Sequence, residues 1–189
     1  MELFGAVVGI IYLILEYRVN PWLYLFGILM GAVYSVVFFQ EGIYANACIN
    51  VYYVLISIYG ALCWRRYGSS DNGNPTTRSM PRRLAPWLFA ILLALTLFLT
   101  WLLSALGESE VAFLDGVTSA LSIISMWMMA KKYYQQWIGW IIVEPVMVIL
   151  SLRSGLYYTA VMYVVYSVIA VMGYLRWKKL YGPSKMEKK

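Results

Sequence analysis

Polar positions divide an otherwise apolar chain into seven runs, at about 2–17, 22–40, 44–64, 86–106, 111–130, 135–152 and 156–177. Most approach the ~20 residues that an α-helix needs to cross the hydrocarbon of a bilayer, and the first is the shortest. The pattern predicts an all-α integral membrane protein with seven transmembrane helices. Only one break is long: after Arg65-Arg66-Tyr67, residues 68–81 are rich in Ser, Asn, Gly, Thr and Pro and read as a mobile linker.

The sixth run breaks its own pattern. In Trp137-Ile-Gly-Trp140-Ile-Ile-Val-Glu144-Pro145, helical spacing places two indoles and a carboxylate on one face. An ionised side chain at the centre of a membrane helix costs on the order of 2.5–3.5 kcal/mol, so it normally points into a protein cavity. Pro145 has no N–H and crowds the carbonyl of Ile141, which predicts a bend beside the acid. Two readings stand: a kinked packing helix with a protonated Glu, and a ligand site, which is the sharper of the two.

Composition narrows the chemistry. With 62% hydrophobic and 13% charged residues, the chain is too apolar for an ordinary soluble domain. Its start lacks the basic region and cleavage site of a secretory signal, so the first run is expected to remain as a span. Cys48 and Cys63 fall within an apolar run and read as packing residues. The chain has no His, which removes imidazole metal ligands, Ser-His and Cys-His nucleophiles and His proton relays. No phosphate-binding Gly-x-x-x-x-Gly-Lys-Ser/Thr stretch occurs, so an ATP-driven mechanism would need a second subunit. No metal or cofactor is expected.

The net charge of +6 has a topological cause. Every Lys and Arg except Arg153 falls in alternate loops on one side: Arg18, then Arg65 to Arg83, then Lys131 and Lys132, then Arg176 onward. The positive-inside rule then puts the linker and C-terminus in the cytoplasm and the N-terminus outside, with no nucleic-acid partner implied.

Laid on itself at an offset of 113, the chain aligns Glu2 with Asp115, Arg18 with Lys131, Gly42 with Gly155, Tyr53 with Tyr166, Gly60 with Gly173 and Trp64 with Trp177. A one-residue slip is expected in the second span. The reading is two three-helix units of the same orientation joined by a single helix, a 3+1+3 parallel repeat like that of SWEET-type sugar transporters, with substrate bound near mid-membrane. It divides the chain into a first repeat (1–67), a linker with the connecting helix (68–110), a second repeat (111–180) and a basic tail (181–189). Glu144 falls opposite Met30 or Gly31, so the single central acid belongs to one half only. Asn50 is the counterpart of Tyr163, and its amide needs either another helix or a ligand as partner. Tyr52, Tyr53, Tyr163 and Tyr166 add phenols at similar depth, whereas Tyr133, Tyr134, Tyr157 and Tyr158 read as interfacial. Thr118, Ser119, Ser122 and Ser125 read first as close helix packing. Glu2 and Asp115 read as first-turn acids that face a helix dipole.

The pattern Trp137-x-x-Trp140-x-x-x-Glu144 carries a resemblance. Together with Phe38-Phe39-Gln40, Tyr44-Ala45, Ile58-Tyr59-Gly60, Trp64, Asp115 and Gly155-Leu-Tyr157 through Trp177, it resembles the PnuC family of bacterial vitamin transporters. The resemblance covers nearly the whole chain and is most specific in the sixth span. It implies a homotrimer in the cytoplasmic (inner) membrane that takes up nicotinamide riboside or a related vitamin by facilitated diffusion, with a kinase trapping the vitamin by phosphorylation.

One departure is informative. Where the family pattern resembles Trp-x-x-Trp-x-x-x-Asn, this chain has Glu144, and Asn50 stands where many relatives have Gln. An amide exchanges a donor and an acceptor with a carboxamide, whereas a carboxylate only accepts. Thiamine offers an exocyclic amine and a fixed cation, so the expectation is the thiamine-carrying branch. Glu144 would accept from the aminopyrimidine, Trp137 and Trp140 would stack on a ring, and Asn50, Tyr53 and Tyr163 would complete the contacts. Nicotinamide riboside is the alternative cargo, and a membrane-embedded enzyme using Glu144 or Asp115 as acid or base is a weaker alternative.

Overall fold

The computed structural model describes residues 2–42, 44–67, 76–107 and 111–186. Among them are seven α-helices: α1 Glu2–Tyr17, α2 Leu23–Gln40, α3 Tyr44–Tyr67, α4 Ala85–Leu106, α5 Ala112–Ala130, α6 Gln136–Arg153 and α7 Tyr157–Met186. Each arises where the apolar runs are. Six are long and apolar enough to cross a membrane, and α1 is shorter. Large apolar side chains stay exposed along them, Trp87, Phe89 and Trp101 of α4 foremost. That surface suits lipid, since water would leave it uncompensated.

The helix ends follow local chemistry. A proline in the first turn of α4 needs no amide partner there, and Gly107 closes the helix in the left-handed region at φ 67°. After α2 and α6 the chain turns at Gly42 (φ 77°) and Gly155 (φ 72°). After α1 and α5 it turns at Val19 and Lys132, both non-glycine residues at φ 58°. Such a conformation is costly for a β-branched residue and persists only where the surroundings impose it.

These turns recur at an interval of 113 residues down to their hydrogen bonds. Val19 donates to the carbonyl of Glu16 and Lys132 to that of Met129; Gly42 donates to Phe39 and Gly155 to Leu152. Because both flanks of α2 and α6 keep the interval, the expected one-residue slip is absent. Counting by it sets Glu144 level with Gly31.

The chain divides into two compact units. The first holds Met1–Arg78, Met129–Lys132 and Arg176–Lys189; the second holds Ser79–Met128 and Tyr133–Leu175. In the first, α2 and α3 lie close: a Cβ at Gly60 would meet the ring of Tyr24, and one at Gly27 would come 2.6 Å from Ser57 Oγ. In the second, Gly116 of α5 admits Thr100 of α4, Gly139 of α6 admits Ser125 of α5, and Gly173 of α7 admits the ring of Trp137. The hydroxyl run of α5 thus serves close packing at Ser125, while Thr118 Oγ1 donates back to the carbonyl of Leu114 at 2.9 Å.

The linker needs a correction. Residues 68–75 lie outside the described residues, but Thr77 to Met80 are pinned. Thr77 Oγ1 donates to the carbonyl of Trp177 at 2.6 Å, and the Arg78 amide to that of Lys132 at 2.8 Å. The Met80 amide donates to Gln135 Oε1 at 3.0 Å, and Gln135 Nε2 to Ser79 Oγ at 3.0 Å. Ser and Thr that read as solvated loop by composition find fixed partners here.

Candidate functional site

α6 runs unbroken through Pro145 and carries three of the expected site residues in the second unit. Trp137 is 0% exposed, its ring lodged against Gly173. That enclosure departs from the expected stacking role: in this conformation the ring offers no free face. Trp140, one turn on, is half-buried and donates from Nε1 to Gln136 Oε1 at 2.7 Å, which fixes the plane of its indole. Glu144 is only 7% exposed and acts electrostatically on the phenols of Tyr163 and Tyr166 of α7. Those two rings meet edge to face at 6.0 Å. The second unit therefore gathers Trp140, Glu144, Tyr163 and Tyr166 into an acid bordered by aromatic groups. Such a set suits a flat ligand with donors or positive charge.

Asn50 and Tyr53 lie in the first unit, both half-buried and three residues apart on α3, so they share a face. Tyr53 pairs with Tyr52 at 6.0 Å. The place level with Glu144 is closed here. A Cβ at Gly31 would come 2.8 Å from Val54 Cγ2 and 3.2 Å from the carbonyl oxygen of Asn50.

Three polar residues escaped the sequence reading. Glu16, at the end of α1, is 2% exposed and acts on the Tyr12 and Tyr24 phenols, so Glu144 is not the single buried acid. An acid in the last turn of a short apolar run looks interfacial, and its burial comes from tertiary packing. Gln136 is fully buried at the start of α6, where a first-turn amide carries no sequence signal. Lys132 is buried in the loop after α5, its ammonium 4.9 Å from the Trp64 ring centroid, and burial lowers its pKa below the ordinary 10.5. Two smaller corrections accompany these. Tyr133 is buried instead of interfacial, and Cys48 is exposed on α3 instead of packed. Tyr157 and Tyr158 are exposed as an interfacial belt requires. No group of three potential metal ligands occurs among the described residues.

Residues 1–179 match the family described as "Nicotinamide mononucleotide transporter". The chain is 26% identical over 201 residues to the nicotinamide riboside transporter PnuC of Escherichia coli (strain K12), covering 94% of this chain and 84% of that one. It is 28% identical over 190 residues to the protein of the same name from Neisseria mucosa, covering 93% and 71%. Among solved structures it is similar to the crystal structure of the vitamin B3 transporter PnuC, at 27% identity and a TM-score of 0.71, covering 93% of this chain and 79% of that one.

Proposed function

This chain belongs to the PnuC family, and from that membership we propose that it carries a small vitamin across a bilayer, with nicotinamide riboside as the cargo. The observation that carries this reading is the family match over residues 1–179, on a chain with six membrane-length helices. The names of the relatives support nicotinamide riboside over thiamine, and they are names of transporters, not enzymes.

The finer architecture is proposed as the 3+1+3 parallel repeat. Its support is the 113-residue interval shared by the turns at Val19 and Lys132, by those at Gly42 and Gly155, and by the ring-on-glycine contacts of Tyr24 with Gly60 and Trp137 with Gly173. Rocking of one repeat against the other would expose the site alternately, without ion coupling, and intracellular phosphorylation would trap the cargo. The basic loops support a cytoplasmic C-terminus and an outside N-terminus in the inner membrane, and the family resemblance supports a homotrimer. Trp140, Glu144 and Tyr163 would meet the vitamin from one half and Asn50 and Tyr53 from the other. Trp137 would contribute by holding α6 on α7.

One observation favours thiamine as a second reading: Glu144 is a buried carboxylate bordered by two phenols, an acceptor suited to an amine-bearing cation. Tryptophan-fluorescence titration of the purified protein with each vitamin decides between them. The first reading expects tighter binding of nicotinamide riboside. Thiamine binding at least tenfold tighter, lost in Glu144→Gln, would replace it with the second, and binding of neither would sink both.

A further inference from the structure

Two indoles at the basic end of the first unit are bonded crosswise. Trp64, at the C-terminal end of α3, donates from Nε1 to the carbonyl of Met129 at the end of α5, at 3.1 Å. Trp177, in the last third of α7, donates from Nε1 to the carbonyl of Glu16 at the end of α1, also at 3.1 Å. Trp177 follows Trp64 by 113 residues, and Met129 follows Glu16 by the same interval. Each indole therefore holds the carbonyl that corresponds to its counterpart's. Both rings are buried, with centroids 6.2 Å apart.

We propose that Trp64 and Trp177 form a paired latch closing the cytoplasmic end of the transport path, and that passage requires both indole bonds to open. The inference rests on the transporter reading and its orientation above, and it adds the residues that gate it.

Three features make this a latch and not simply a core contact. The acceptor carbonyls keep a partner when the indoles leave, because the loop amides of Val19 and Lys132 already donate to Glu16 and Met129 at 3.0 and 2.8 Å. Opening therefore strands no backbone group. Behind the latch the first unit is polar: Glu16 is buried there, and Tyr24 Oη and Ser57 Oγ are buried with no hydrogen-bond partner among the described residues. A permanent core seldom leaves two hydroxyls unsatisfied, whereas a path closed in one conformation hydrates them in the other. Finally, Asn50, Tyr53, Ser57, Gly60 and Trp64 recur at spacings of three and four on α3, one stripe from the candidate binding residues to the latch.

The latch has its own bolts. The Lys132 ammonium lies over Trp64, Thr77 holds the carbonyl of Trp177, and the Arg78 amide holds the carbonyl of Lys132. Residues 77 and 78 thus tie both indoles to one short strap.

The native Cys63, half-buried beside Trp64, reports the state of the latch. In a Cys48→Ala background, the maleimide labelling rate of Cys63 is followed in purified protein, together with the thermal unfolding midpoint. Trp64→Phe and Trp177→Phe keep a ring and remove the N–H. Each is expected to speed labelling about two- to tenfold, and the pair about multiplicatively, with the midpoint unchanged. Unchanged labelling overturns the proposal. So does faster labelling with an equally lowered midpoint, which is local loss of packing. Should a Phe variant fail to fold, Thr77→Val leaves both rings in place and is expected to give a smaller rise, its absence counting against the latch. Labelling needs no cargo, so a failure here leaves the vitamin titrations to judge the function on their own.

Discussion

The ring of Trp137 occupies the space that a side chain at Gly173 would need, with Cε2 and Cζ2 each 2.6 Å from where a Cβ would stand. Gly173→Ala gains up to ~1 kcal/mol of helix propensity but overpacks a site from which a fully enclosed indole cannot swing away, typically at ~1–3 kcal/mol. The net effect is a lower unfolding midpoint in detergent. A midpoint equal to or above the parent's would show that α6 and α7 yield at this contact.

Gln136 holds the indole of Trp140 through a 2.7 Å bond. Gln136→Leu keeps much of the volume and removes the acceptor, so the Trp140 plane is no longer set. Vitamin affinity is expected to fall about three- to tenfold, the factor a single net hydrogen bond supplies. Equal affinities in parallel titrations would mean that Trp140 is positioned by other contacts.

Gln135 anchors the strap from both sides of its amide. Gln135→Ala removes both bonds, and limited trypsinolysis at Arg78, Arg82 or Arg83 is expected to accelerate several-fold through more frequent local opening. Identical digestion time courses would place the anchoring at Thr77 and Arg78.

Lys132 gives stability a pH dependence of definite sign. Well below its lowered pKa the amine is charged in both folded and unfolded chains, and the burial penalty is present in full. Above 10.5 it is neutral in both and the penalty is gone. Between these limits the unfolded chain binds more protons, so stability rises with pH. Lys132→Met is expected to flatten that alkaline rise. Parallel stability curves for parent and variant from pH 7 to 11 would remove Lys132 as its source.

Much of the fold was legible because a bilayer demands long apolar runs. The seven runs predict α1 to α6 to within about three residues, and only α7 differs, continuing to Met186 through Arg176, Lys178 and Lys179. No turn residue stops it before Gly182, and lysine and arginine favour helix. Gly42 and Gly155 could be matched by type. Val19 and Lys132 could not, since nothing about a valine or a lysine announces a positive φ; their shared geometry appears only in the backbone. Glu144 stood out because it interrupts an apolar face. Glu16 and Gln136 sit at helix ends, where polar residues are ordinary, and their burial is decided by neighbours far away in sequence. The pinned strap belongs to the same class: Thr77 and Gln135 are unremarkable until the fold supplies their partners.

Gly31 and Glu144 divide labour between the halves of the chain. At Gly31 the neighbouring helix approaches too closely for any side chain, so an acid cannot be copied there without parting α2 from α3. At position 144 a polar side chain already has its place, and Asn, Gln or Glu differ little in bulk. Cargo preference can therefore diverge by substitution on α6 alone, while the other half preserves the scaffold. Descendants of one ancestral carrier could change vitamins without relearning how to fold.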